Sequence, residues 1–235
     1  MRLLPSLALA LLAASATWAL PTLPVTFQDE LDSQNPNDVI GDPAYFEIDN
    51  LKLVGMTGNT LQVDIRFNYG GGAALSPFAI NGFNPMLRVG DLFLNTTAGS
   101  YAYILSAHDG LSANGLYKIT GTQSAASVLG SPAGSYRPDA QVWASANGAQ
   151  WVAAGTNTVT TVGGVSTQLL ASILLPLDPM GAASLANGFS VYFASATCGN
   201  DEITGTVPAT GIPEPGTWAL FGAGLTALGL IRRNR

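Results

Sequence analysis

Leu61-Gln-Val-Asp-Ile-Arg-Phe-Asn-Tyr69 is the stretch whose reading decides the fold class. Leu61, Val63, Ile65, Phe67 and Tyr69 are apolar, and Gln62, Asp64, Arg66 and Asn68 between them are polar. Successive side chains of a strand point to opposite faces, so this parity describes a strand with one buried face and one wet face. Antiparallel sheets packed on one side carry that pattern. Just upstream, Leu51-Lys-Leu53 is separated from this strand by Gly58-Asn59, which predicts a hairpin. Further back, Ala44, Phe46 and Ile48 alternate with Tyr45, Glu47 and Asp49 on the opposite parity to Leu51 and Leu53. A strand with a bulge or kink near Asp49-Asn50 would reconcile the two.

The same signature repeats downstream. Leu87 to Leu94, Tyr101 to Leu105, Leu116 to Thr120 and Phe189 to Ala194 read as strands, with Glu202-Ile-Thr204 as a short last one. Asn147-Gly148 between Ala140–Ser145 and Gln150–Ala154 is a primed-turn hairpin signal. Gly163-Gly164 predicts a second hairpin, between Asn157–Val162 and Val165–Leu175. Pro24 to Asp42 reads as an irregular lead-in, and Ser124 to Asp139 as loop. No amphipathic helix and no fixed-period repeat is legible. The expectation is an all-β protein, an antiparallel β-sandwich that is jelly-roll-like or similar.

Both ends differ from this body. Met1-Arg2, the apolar Leu3 to Leu12 and the small residues before Ala19 form a secretory signal peptide over residues 1–19, with cleavage expected after Ala19. At the other end, Pro213-Glu214-Pro215 precedes the uncharged run Gly216 to Ile231, and Arg232, Arg233 and Arg235 close the chain. That run is 16 residues long, near the lower limit of about 17 for a spanning helix. Local bilayer thinning and snorkelling arginines can meet such a mismatch. The arginines favour the cytoplasmic side as a stop, which puts everything before them outside the inner membrane. The β domain is expected over residues 20–207 and a linker over 208–212, leaving 213–235 as the tail.

This three-part ending resembles the PEP-CTERM sorting signal of Gram-negative bacteria. The resemblance implies recognition by an exosortase, a membrane-embedded cysteine-type transpeptidase, and cleavage at or near Pro213-Glu214-Pro215. It implies an inner-membrane-anchored precursor that ends at the cell surface or in the extracellular matrix, associated with exopolysaccharide or biofilm. Asn68-Tyr-Gly-Gly71, Ser106-Ala-His-Asp-Gly110, Tyr136-Arg-Pro138 and Thr197-Cys-Gly-Asn-Asp201 also resemble segments that recur in secreted exosortase substrates.

Charge narrows the partners. Between Leu20 and Gly211 there are five bases and fourteen acids, a net charge of −9, against −6 for the whole chain. Such a surface disfavours nucleic acid and anionic membrane surfaces, and leaves divalent cations or neutral polymers such as polysaccharide as easier partners. Catalytic signals are sparse. His108 is the only histidine, Asp109 is too near in sequence to orient it, and no Gly-x-Ser-x-Gly elbow is present. One histidine and one cysteine cannot make a zinc site. The expectation is therefore no enzyme, with His108 a turn residue bonded within its own loop. Calcium is the one metal considered, with Asp38, Asp42 and Asp201 as ligands on loops, because hard cations take loop oxygens. Cys198 is expected to be a small buried apolar residue, and Trp143 and Trp151 to lie in the core. Exposed tryptophans would instead suit a carbohydrate-binding module, with calcium assisting.

Overall fold

The computed structural model of the chain describes residues 22–29, 39–80, 83, 86–130, 132, 134–177 and 180–209. They belong to one compact unit, Leu20–Thr210. The expected signal peptide, Ala19, Asp38, Pro213-Glu214-Pro215 and the tail arginines lie outside the described residues.

Five strands form one antiparallel sheet: β1 (Val25–Gln28), β2 (Ile48–Thr57), β3 (Thr60–Asn68), β10 (Thr156–Val162) and β11 (Val165–Pro176). Their order is β1-β2-β3-β11-β10. A second antiparallel sheet holds β4 (Leu92–Thr96), β5 (Gly99–Tyr103), β6 (Gly115–Ile119), β9 (Gln150–Ala154), β12 (Phe189–Ala194) and β13 (Glu202–Val207). Its order is β13-β12-β4-β5-β6-β9. A two-stranded ribbon pairs β7 (Thr122–Ser124) with β8 (Gln141–Ala144).

The decisive stretch behaves as its parity requires. Leu61, Val63, Ile65 and Phe67 are buried on β3. Across the strand pairs, Val63 stands opposite Leu53 on one side and Ile173 on the other. Leu92, Leu94, Tyr103, Val191 and Phe193 of the second sheet join the same apolar core. Phe67 meets Phe193 edge-on at 5.2 Å, one ring from each sheet. Each such side chain contributes about 1.5–3 kcal/mol by leaving water.

Both the Gly58-Asn59 and Gly163-Gly164 hairpins form, and the register slips between Ile48 and Asn50, where the parity changes. Other expectations are corrected. Pro43–Phe46 is a short helix, α1, instead of the start of a strand. Asp42 caps it by accepting the Ala44 N–H at 2.9 Å, and Pro43 sits in its first turn. Cap and proline together outweigh a three-residue alternation. The lead-in is not wholly irregular either, since Val25–Gln28 pairs with β2 as β1. Ala125–Leu129, expected as loop, is a second short helix, α2, capped by Ser124. A third, α3, spans Ala182–Ala186.

Asn147-Gly148 does turn the chain, with Gly148 at φ 78°, but it does not join a hairpin. Its two flanking strands pair elsewhere, β8 with β7 and β9 with β6. The strand expected from Leu87 begins only at Leu92. The Arg88 carbonyl accepts from the Thr197 N–H at 2.8 Å, and the Asp91 N–H donates to the Val142 carbonyl at 2.9 Å. Gly90 allows this, because a Cβ there would lie 2.3 Å from the Ala194 carbonyl oxygen.

Phe193→Ala should cost about 3–5 kcal/mol, read as a shift in urea midpoint at constant slope. Gly90→Ala should destabilise through backbone collision without removing any buried apolar area, so its unfolding slope should also stay unchanged.

Candidate functional site

A hollow of about 440 Å³ opens on the outer face of the six-stranded sheet. Register places its floor. Tyr192 stands opposite Phe93, Ser190 opposite Asn95, and Asn95 opposite Ser100, so these side chains share one face. Thr204 continues the row from β13, opposite Tyr192. The far wall is the β7–β8 ribbon, through Thr122 and Gln141, whose side chains are hydrogen-bonded to each other. Phe93 and Tyr192 lie 6.0 Å apart, centre to centre. Among the described residues no acidic or basic side chain lines this hollow.

A second hollow of about 500 Å³ adjoins it and shares Gln141 and Tyr192. This second hollow is charged, with Arg137, Asp139 and Glu202 in its lining. The Tyr192 hydroxyl donates to Glu202 Oε2 at 2.6 Å. Burial, followed by that bond, raises the Tyr192 phenol far above its usual range, so it stays a neutral donor.

The histidine is not confined to its own turn. Its backbone bonds Leu111, as a turn residue would, but His108 Nε2 and Asp91 Oδ2 are hydrogen-bonded to each other at 2.9 Å. The imidazole also stacks on the Trp143 indole, at 4.2 Å and 5°. Asp91 is fully buried, and its Oδ2 accepts the Ala144 N–H at 2.8 Å as well. Burial pushes the Asp91 carboxyl above its ordinary range, and the His108 bond pulls it part of the way back. Trp143 Nε1 donates to the Val89 carbonyl at 3.2 Å. Together these bonds fasten β8, and with it the Gln141 wall, to the segment entering β4. The sequence offers one hint of this: an acid inside the strand-like stretch Leu87–Leu94. Nothing in it ties that acid to His108.

The residues considered for calcium occupy different settings. Asp42 caps α1. Asp201 is buried, its two oxygens accepting the Ile48 N–H at 2.6 Å and the Glu202 N–H at 2.9 Å. Burial and the charge of Asp29 push the Asp201 carboxyl up to about 8, with a smaller push from Glu47. Among the described residues no group of three or more His, Cys, Asp or Glu side chains is arranged to hold a metal ion.

Cys198 is buried, and burial pushes its thiol up to about 12, which makes it an inert core residue. Trp143 is in the core as expected. Trp151 is not: it is 54% exposed, on the strand that ends the second sheet, and meets Tyr117 edge-on at 5.2 Å. A last strand has no neighbour to cover its outer side.

Residues 211–235 match the family model of the PEP-CTERM protein-sorting motif. No curated protein and no solved structure matches the chain.

His108→Ala should cost about 3–5 kcal/mol, since it strands a buried carboxyl, and urea unfolding measures it. A loss no larger than the roughly 1 kcal/mol of a surface pair would contradict the latch. A pH series tests Asp201. The folded chain keeps the Asp201 proton to about pH 8, whereas the ordinary carboxyl releases it near 3.8. Between those values the native state binds more protons, so stability should fall as pH rises across the window. Asp201→Asn should flatten the slope. Calcium chloride restoring stability at the alkaline end would point to a cation replacing the proton.

Proposed function

We propose that this chain is an exported, non-enzymatic protein that an exosortase processes and leaves at the cell surface or in the extracellular matrix, in association with exopolysaccharide. The sorting motif at residues 211–235 carries the reading. In this scheme the apolar run holds the precursor in the inner membrane, and Arg232, Arg233 and Arg235 stop it on the cytoplasmic side. Pro213-Glu214-Pro215 presents the cleavage region outside.

The domain's chemistry is compatible with life in a matrix. Its acidity opposes capture by nucleic acid or anionic lipid. Its single cysteine sits deep in the core, so the body needs no disulfide to survive outside the cell. A secreted carbohydrate-binding module is the second reading, and the uncharged hollow on the six-stranded sheet favours it.

Mass spectrometry of protein shed from native cells tests the sorting. The expected mature species ends at or near Pro213-Glu214-Pro215. Glu214→Ala, or deletion of Arg232 to Arg235, should leave the precursor in the inner membrane. A shed molecule that keeps its apolar end would overturn the scheme.

A further inference from the structure

We infer that the hollow between the outer face of the six-stranded sheet and the β7–β8 ribbon binds an uncharged glycan chain. This deepens the exopolysaccharide reading by giving the partner's charge class and its place on the molecule.

The lining chooses the ligand. The domain carries a net charge of −9, yet among the described residues no acid or base lines the first hollow. A polyanionic chain would need lysines or arginines there and would meet repulsion from the surrounding surface. Asn95, Ser100, Thr122, Gln141, Ser190 and Thr204 provide neutral donors and acceptors instead. Sugar hydroxyls are themselves both donor and acceptor, so a face of this kind can pair with them at many orientations. Of the two aromatic rings in the floor, Phe93 is buried, and the half-buried Tyr192 is the one against which the C–H face of a pyranose can lie.

Shape points to a chain. The second hollow adjoins the first, sharing Gln141 and Tyr192, so a chain seated in the first can reach toward the second, where Arg137, Asp139 and Glu202 stand. The site is also preorganised. Most of its polar groups project from paired strands, the Thr204 hydroxyl is held by the Val191 carbonyl at 3.3 Å, and the Gln141 amide by the Asp139 carbonyl at 2.8 Å. Few rotamers remain to be frozen when a ligand arrives, which lowers the entropy lost on binding.

Affinity electrophoresis of the purified full-length chain in detergent tests this. Hydroxyethylcellulose, laminarin and galactomannan serve as neutral polymers, and alginate as the polyanionic contrast. At least one neutral polymer should retard the protein, equally in low and high salt, because no ion pairs are involved. The double variant Asn95→Ala/Thr204→Ala changes two exposed side chains. It should weaken retardation about tenfold or more at an unchanged urea midpoint. Trp151→Ala, outside the hollow, should bind as the parent does. Retardation by alginate alone, by none of the polymers, or to the same extent in the double variant would each overturn the site. The tail is scored separately by mass. Normal processing without glycan binding would remove this inference and leave the sorting reading standing.

Discussion

Keeping one face of β3 out of water sets the terms for both sheets. The strand is paired on both sides, to β2 and to β11, and its apolar residues meet the second sheet across the core. A one-residue slip would turn Leu61, Val63, Ile65 and Phe67 outward and Gln62, Asp64 and Arg66 inward. Desolvating an acid and a base at once would cost more than any alternative pairing could return. The register is therefore held by what each face must avoid as much as by what it gains.

The second sheet uses its two faces differently. Its inner face completes the core, whereas its outer face is partly covered by the ribbon and partly open. Where the covering stops, the hollow begins. The ribbon's position thus shapes the hollow, and Asp91 holds the ribbon. Its main-chain N–H bonds Val142, its carboxyl bonds Ala144, and His108 completes the set while stacking on Trp143. A buried acid–base pair of this kind adds little net stability compared with an apolar substitute, but its directional bonds admit few alternative geometries. A wall built from neutral side chains needs such an anchor, since it has no strong charge pairs of its own to set its distance from the floor.

The acids are sorted by environment. Those in turns, such as Asp42 and Asp109, cap backbone or face solvent, whereas Asp91 and Asp201 are buried and held by N–H donors. The first hollow is left without charge. An acidic surface with an uncharged recess repels polyanions over distances of about a Debye length while leaving neutral chains unaffected.

The all-β class, the two glycine-centred hairpins, the kink before Leu51 and the sorting tail were legible in the order of the residues. Each of these is a local property: parity along one strand, turn chemistry at two residues, or a run of apolar residues beside arginines. Tertiary structure alone decided the remainder. Asp42 and Pro43 make a helix where parity suggested a strand, because the cap removes an unsatisfied N–H that alternation cannot see. Asn147-Gly148 turns the chain between strands of different sheets, since a turn fixes direction and not partner. Asp91 meets His108 across 17 positions, and Trp151 is exposed on the strand that comes last in its sheet. Such pairings depend on how two sheets stack, and stacking is set by the sum of many weak apolar contacts, none of which is written in the spacing of the residues that end up adjacent.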